Sequence, residues 1–233
     1  MSSLLIFGFL LGLRHAIEAD HVAAVASLTT KTPKIRDAVP LGALWGVGHT
    51  LTIFTVGAIV MSMDQVVPER IAGLLELVVG VMLLWLGGDV LWRLWRDRIH
   101  FHVHRHQGGV RHFHAHSHKN DTGHGAAAHR HRHAPNIKRR ALLVGIMHGM
   151  AGSAAVVVLT ASQATSFVGG LVYIAIFGGG SIAGMALLTL VISWPMRKAA
   201  STMGYAYNVL TASVGVITVG LGISIIYANL GAL

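Results

Sequence analysis

Windows of about 20 mostly apolar residues recur along the chain between short polar connections, and this recurrence leaves few folds open. As an α-helix, such a window rises about 30 Å and spans the hydrocarbon core of a bilayer. Within that layer every backbone N–H and C=O must find a partner in its own segment, which requires helices or a closed barrel. Six helical spans are read, at residues 4–28, 41–63, 70–94, 141–163, 167–193 and 205–230. Pro33, Pro40, Pro68 and Pro195 are expected in the breaks, because proline lacks the amide proton that a helix interior uses. Apolar residues make up 53% of the chain and charged ones 12%, too little polar surface for a soluble fold. The expected class is an all-α polytopic membrane protein.

The charges sit in the connections and alternate. Lys31, Lys34 and Arg36 lie in 29–40, many Arg and Lys in 97–140, and Arg197 and Lys198 in 194–204. The connections 64–69 and 162–166 contain no Lys or Arg. Basic loops stay in the cytoplasm, which predicts outward termini in the plasma (inner) membrane and a cytoplasmic 97–140 segment. The net charge of +9 is then a matter of topology and implies no nucleic-acid partner. The opening MSSLLIFGFL has no basic n-region and reads as the start of a retained first helix. The absence of cysteine excludes disulfides and soft thiolate metal sites.

The chain also resembles itself. GLRHAIEAD from Gly12 aligns with GIMHGMAGS from Gly145, WGVGHT from Trp45 with FGGGSI from Phe177, and VVGVMLLWLG from Val78 with SVGVITVGLG from Ser213. His15 is thereby paired with His148, Asp20 with Ser153, and His49 with Ser181. A repeat of three helices enters the bilayer upside down the second time. The predicted organisation is a first repeat at 1–96, a His-rich loop at 97–140 and an inverted second repeat at 141–233. Transporters built this way hold their substrate near the midplane, between the repeats.

Of the 16 histidines, twelve lie between His100 and His133, while His15, His21, His49 and His148 fall inside predicted spans. Ionisable groups in a span cost about 2.5–3.5 kcal/mol each and persist when they pair, line water or bind an ion. His15, His49 and His148 fall at comparable depth, and imidazole suits borderline divalent metals. In helix 1, at about 100° per residue, His15, Glu18 and His21 form one stripe with His15 and His21 about 120° apart around the axis, while Asp20 points about 140° away from His15. Either the helix unwinds near Ala16–Ala19, or Asp20 orients a ligand histidine from behind. The candidate metal residues are His15, Glu18, Asp20, His21, His49 and His148. Arg14 could balance the carboxylates, and Glu76 either packs or pairs with Arg14, or takes a direct part in the site. Met147 and Met150 read as packing residues.

HFHVHRH and HFHAHSH carry alternating histidines, His100, His102, His104, His106 and His112, His114, His116, His118, around the connection QGGVR. Alternation suits a strand, and a short Gly-containing connection suits a hairpin. The segment is expected either to close into a metal-clamped hairpin, disordered without metal, or to be a solvated linker that binds metal weakly.

RHAIEADHV resembles the His-x4-Asp-His signature of the nickel/cobalt transporter family, and GVGHT at 46–50 resembles its second motif, Leu-Gly-His-Ser/Thr. GIMHGMAGSAAV at 145–156 is similar to the shorter urease-accessory-type permeases of the same superfamily. The resemblance implies that His15, Asp20, His21 and His49 handle metal, with Glu18 where the family usually has Asp. The chain departs from the eight-helix members: their extra first helix and later acidic motifs are absent, and Ala26 and Ser27 replace an Asp-Asn pair. The reading is a secondary transporter of Ni²⁺ or Co²⁺, not an enzyme, with no permanently bound cofactor. Uptake is favoured over two alternatives, a proton-coupled exporter and a membrane metallochaperone supplying a cytosolic metalloenzyme such as urease, or its chaperone. No Walker A motif is present, and no His-Glu-x-x-His supports a hydrolase.

Overall fold

The structure is a computed structural model that describes residues 2–30, 35–63, 68–97, 100–105, 111–116, 137–163, 166–202 and 204–232. The elements in chain order are α1 (Ser2–His15), α2 (Ala19–Thr29), α3 (Ile35–Met63), α4 (Glu69–Asp97), β1 (His100–Arg105), β2 (Arg111–His116), α5 (Ile137–Gln163), α6 (Phe167–Thr202) and α7 (Gly204–Asn229), closed by a 3-10 turn at Leu230–Ala232. Among the described residues, Arg36–Ser62, Glu69–Arg96, Phe167–Ala200 and Tyr205–Asn229 are each long and apolar enough to cross a membrane. Leu51, Val81, Val191 and Val216 on these helices are exposed, as suits apolar side chains on helices that cross a membrane. The chain is a multi-pass membrane protein.

The first span is a helix broken into two pieces, α1 and α2, as the unwinding alternative near Ala16–Ala19 allowed. The amide of Ala16 bonds to the Gly12 carbonyl, and then Ile17 and Glu18 turn back to Arg14 and His15 in short i→i−3 bonds. Glu18 has extended backbone (φ −63°, ψ 149°) and stands at the N-cap of α2. Its side chain makes no cap bond there, being turned to His15. At about 1.5 Å per residue the two pieces together still rise far enough to span.

The prolines need correction. Pro40 lies inside α3 and Pro195 inside α6. Each proline forfeits one i→i−4 bond, Pro40 that to Arg36 and Pro195 that to Val191, and packed membrane helices absorb such a loss. Both basic connections are shorter than expected in consequence. The two-stranded hairpin makes the membrane part, rather than the whole chain, all-α. β1 and β2 are antiparallel, with His100 opposite His116, His102 opposite His114, and His104 opposite His112. His106, His118 and the QGGV portion of the turn lie outside the described residues.

Close helix contacts recur with the two halves exchanged. α3 packs on α5 and α6 on α1, α4 packs on α5 and α7 on α2, and α3–α6 and α4–α7 pack on each other. The tightest approaches pair off in the register of the sequence repeat. A methyl group on Gly12 would strike the Phe177 carbonyl, and one on Gly145 the Trp45 carbonyl. Likewise Gly180 lies against the Phe9 carbonyl and Gly48 against that of Leu142. Gly87 faces the Gly215 carbonyl as Gly222 faces that of Gly80. Small residues at such points let backbones approach, which is how membrane helices gain packing energy without a hydrophobic drive.

One ionic cluster ties α4 to its neighbours. Arg140 of α5 donates to Asp89 at 3.0 Å and lies 4.0 Å over the Trp85 ring, while Arg93 reaches Thr30 at 3.2 Å. The main apolar core joins Ala23, Ala24, Val25 and Leu28 of α2 to Trp45, Leu83, Leu86 and Met185, beside the break in helix 1.

Candidate metal site

Four imidazoles meet at this break. His15, His21, His49 and His148 are 9%, 1%, 0% and 2% exposed, so all four are withdrawn from solvent and lipid. His15 is the last residue of α1, His21 sits in the first turn of α2, and His49 and His148 lie mid-helix on α3 and α5. Ring centroids are 4.4 Å apart for His15–His21, 4.3 Å for His21–His148, 5.0 Å for His21–His49 and 5.2 Å for His15–His49.

Carboxylates set the ring orientations. Glu18 Oε1 lies 2.9 Å from His15 Nδ1, which puts that ring's proton on Nδ1 and its lone pair on Nε2. His15 Nε2 is 3.0 Å from His49 Nε2, so in the ion-free state His49 donates that hydrogen bond. Asp20 Oδ1 accepts from His21 Nδ1 at 3.0 Å and from the His21 backbone N–H at 2.9 Å. Asp20 Oδ2 accepts from His148 Nε2 at 2.9 Å. The carboxylate thus sits among the free amides at the N-terminus of α2, at the positive end of the helix dipole. His21 Nε2, His49 Nδ1 and His148 Nδ1 are buried without a partner among the described residues.

Of the two alternatives posed for Asp20, the helix does unwind at Ala16–Glu18, and the carboxylate is also hydrogen-bonded to the His21 and His148 rings. What the break adds is rotation. It frees α2 from the helical phase of α1, so His21 turns towards His15 although a regular helix would hold them apart. Two groups of side chains have ligand atoms within 4.8 Å of one another: His15, His21 and His49, and Asp20, His21 and His148. Glu76 on α4 is half-buried and within electrostatic range of Asp20, His148 and Glu18. Arg14 is exposed, and among the described residues it makes neither the expected pair with Glu76 nor any other ion pair. Met147 faces outward, 37% exposed.

The aromatic walls were not anticipated. Trp45 is fully buried, with its ring 5.3 Å from His21 and 5.5 Å from His148. Phe177 lies 5.3 Å from His15. The repeat alignment had already matched Trp45 to Phe177 and His148 to His15, a signal that the two pairs occupy corresponding places. The direct bond from Asp20 to His148, between the halves, had no signal in the sequence. Chemically, the arrangement offers a dry, nitrogen-rich set of donors with anionic support, suited to a borderline divalent ion and unsuited to Mg²⁺ or Ca²⁺, which take oxygen shells.

An outer carboxylate of this kind is worth about 10–100-fold in metal affinity or activity. Asp20→Asn is therefore expected to reduce Ni²⁺ transport by that order, and Glu76→Gln by less, in initial-rate uptake measurements. Equal losses in the two variants would argue against the orienting role of Asp20.

Comparison with known proteins gives a consistent result. The profile of the family described as "NicO: High-affinity nickel-transport protein" matches residues 1–231. The urease accessory protein UreH of Bacillus sp. (strain TB-90) is 33% identical over 229 residues, covering 98% of this chain and 92% of its own. A candidate nickel/cobalt efflux system, MJ1092 of Methanocaldococcus jannaschii, is 25% identical over 191 residues, covering 78% of this chain and 73% of its own. No solved structure matches. With a multi-pass helical body and a match along nearly its whole length, the chain belongs to the NicO family of high-affinity nickel-transport proteins, which are transporters and not enzymes.

Proposed function

We propose that the protein is a secondary permease that carries Ni²⁺ or Co²⁺ into the cell through the histidine cluster. The observation that carries this reading is the set of three imidazoles, His15, His21 and His49, buried around one point with two of them backed by carboxylates. A hydrated dication must shed water within the bilayer, and these nitrogens replace it. The membrane potential supplies the direction: about 2.3 kcal/mol per charge at 100 mV is roughly 4.6 kcal/mol for a dication, or about three decades of accumulation. Import then needs a selective alternating site and no second driving ion.

The spans form two inverted three-helix repeats with the site between them. The exchange-related glycine contacts and the matched Trp45–His148 and Phe177–His15 pairs support this arrangement. The basic connections face the cytoplasm of a bacterial-type inner membrane, so that 97–140 is cytoplasmic and both termini are outside. A reporter fused at residue 120 is expected to be active only in the cytoplasmic compartment; an external signal there would overturn the topology.

The hairpin register sets histidine opposite histidine at three rungs, supporting a cytoplasmic sink for arriving metal. Removing His100–His133 is expected to lower the number of metal ions bound per chain while transport stays measurable. Complete loss of transport in a folded deletion would mean that the path runs through the loop. The likeness to a urease accessory protein supports delivery of nickel towards a cytosolic metalloenzyme such as urease.

Efflux is the second reading, favoured by the relative named for nickel/cobalt efflux. Reconstituted vesicles separate the two. An interior-negative potential without a pH gradient is expected to drive uptake of Ni²⁺ and Co²⁺ ahead of Zn²⁺ and Mn²⁺. Movement that requires an opposing proton gradient would establish the exporter instead.

A further inference from the structure

His21 belongs to both groups of ligands, and the two nitrogens of its ring have different surroundings. Nδ1 is 3.0 Å from Asp20 Oδ1 and 3.3 Å from His148 Nε2. Nε2 is buried and has no partner among the described residues, while the rings of His15 and His49 stand 4.4 and 5.0 Å away, centroid to centroid. In each group the ligand atoms lie within 4.8 Å of one another. Around a tetrahedral ion with bonds of 2.0–2.1 Å, neighbouring ligand atoms are about 3.3 Å apart. The Asp20–His148 distance of 2.9 Å and the His21–His148 distance of 3.3 Å already lie near that value.

We propose that the cluster is two overlapping stations for a single divalent cation, joined by the imidazole of His21: Nε2 serves one station with His15 and His49, and Nδ1 serves the other with Asp20 and His148. The proposal rests on the transport reading above and deepens it. The first station draws only on the first half of the chain, from α1, α2 and α3. The second adds α5, from the other half. Passing from one to the other therefore moves the ion from a set of ligands within one half to a set that bridges the halves.

The chemistry of one ring makes the stations exclusive. A neutral imidazole has one lone pair, so His21 ligates on one side while the other nitrogen carries the proton. Two dications flanking a single ring would also repel each other strongly in this poorly polarisable interior. The two sets differ in kind: three neutral nitrogens at the first, two nitrogens and a carboxylate at the second. The second can neutralise part of the charge, and the first cannot.

The test uses the full chain in detergent with Ni²⁺ or Co²⁺ as the probe, and counts bound ions relative to His21→Ala so that binding by the His-rich segment cancels. Wild type is expected to hold one more ion than His21→Ala. His49→Ala and His148→Ala should each keep that ion, bound tens-fold more weakly, and each should lose transport in vesicles. The double variant should match His21→Ala. X-ray absorption should find a carboxylate oxygen on the ion in His49→Ala, and imidazole ligands without that oxygen in His148→Ala. His148→Gln, which keeps a polar side chain of similar bulk, guards against misfolding and should behave as His148→Ala. An excess of two ions in wild type would overturn exclusivity. Transport by His148→Ala and His148→Gln at the wild-type rate would overturn the second station and leave the first intact. Wild-type transport by His21→Ala would overturn the transport reading itself.

Discussion

Replacing His21 with alanine is expected to reduce Ni²⁺ and Co²⁺ transport to the background of empty vesicles. The side chain is 1% exposed and is the one imidazole common to both groups of ligands. Losing an outer-shell partner costs about 10–100-fold, so losing a ligand shared by the whole cluster should exceed that. The fold should survive. His21 packs between Trp45 and His148, and its removal leaves a small cavity and takes one side-chain donor from Asp20. The Asp20 carboxylate keeps the His21 backbone N–H and the His148 ring. A destabilisation of about 1–3 kcal/mol is the expected scale. His15→Ala should behave alike. Uptake rates read beside helical content and elution volume decide the matter, and folded His21→Ala that transports within a few-fold of wild type would remove the cluster from the path.

Two adjacent glycines give the second large contrast. Gly180→Ala places a methyl against the Phe9 carbonyl, a backbone atom that cannot rotate aside. Gly179→Ala meets nothing within 4 Å. Overpacking of this kind costs about 1–3 kcal/mol, whereas an unhindered Gly→Ala in a helix gains about 0.5–1 kcal/mol. The former should lower the thermal midpoint by about 5 °C in detergent and the latter should leave it level or raise it. The repeat alignment read from the sequence sharpens this expectation. Gly48, which lies against Leu142 as Gly180 lies against Phe9, should respond to alanine in the same direction and by a similar amount. The same holds for Gly12 and Gly145. Thermal unfolding of the set checks both points, and a drop at Gly180 with no change at Gly48 would speak against the related packing of the halves.

Much of this was legible in the residues. Hydropathy marks spans, because a polar backbone can be buried in hydrocarbon only as a helix or a closed barrel, and four of the six reappear among the described residues as helices long and apolar enough to cross a membrane. The shifts at Pro40 and Pro195 arise because a lost amide bond is tolerable in packed membrane helices, so proline punctuates them less sharply. His15, His21, His49 and His148 stood out because ionisable groups are rare in spans. Alternating histidines suited either a hairpin closed by metal or a solvated linker, and the described strands pair in a histidine-on-histidine register.

What the sequence determined by itself, then, is what local physics controls: which segments are helical and which side chains are too costly to leave in lipid. It could not decide which way those side chains turn. A regular helix holds His15 and Asp20 on opposite sides, and only the break at Ala16–Glu18, stabilised by α2 packing against the core around Trp45 and Leu83, releases the second piece to rotate His21 into the cluster. The bond from Asp20 to His148 spans 128 residues of sequence and exists because α5 packs on α3 at glycine contacts. Such distances are set by backbone approach between helices, a property of the assembled bundle that no single segment carries.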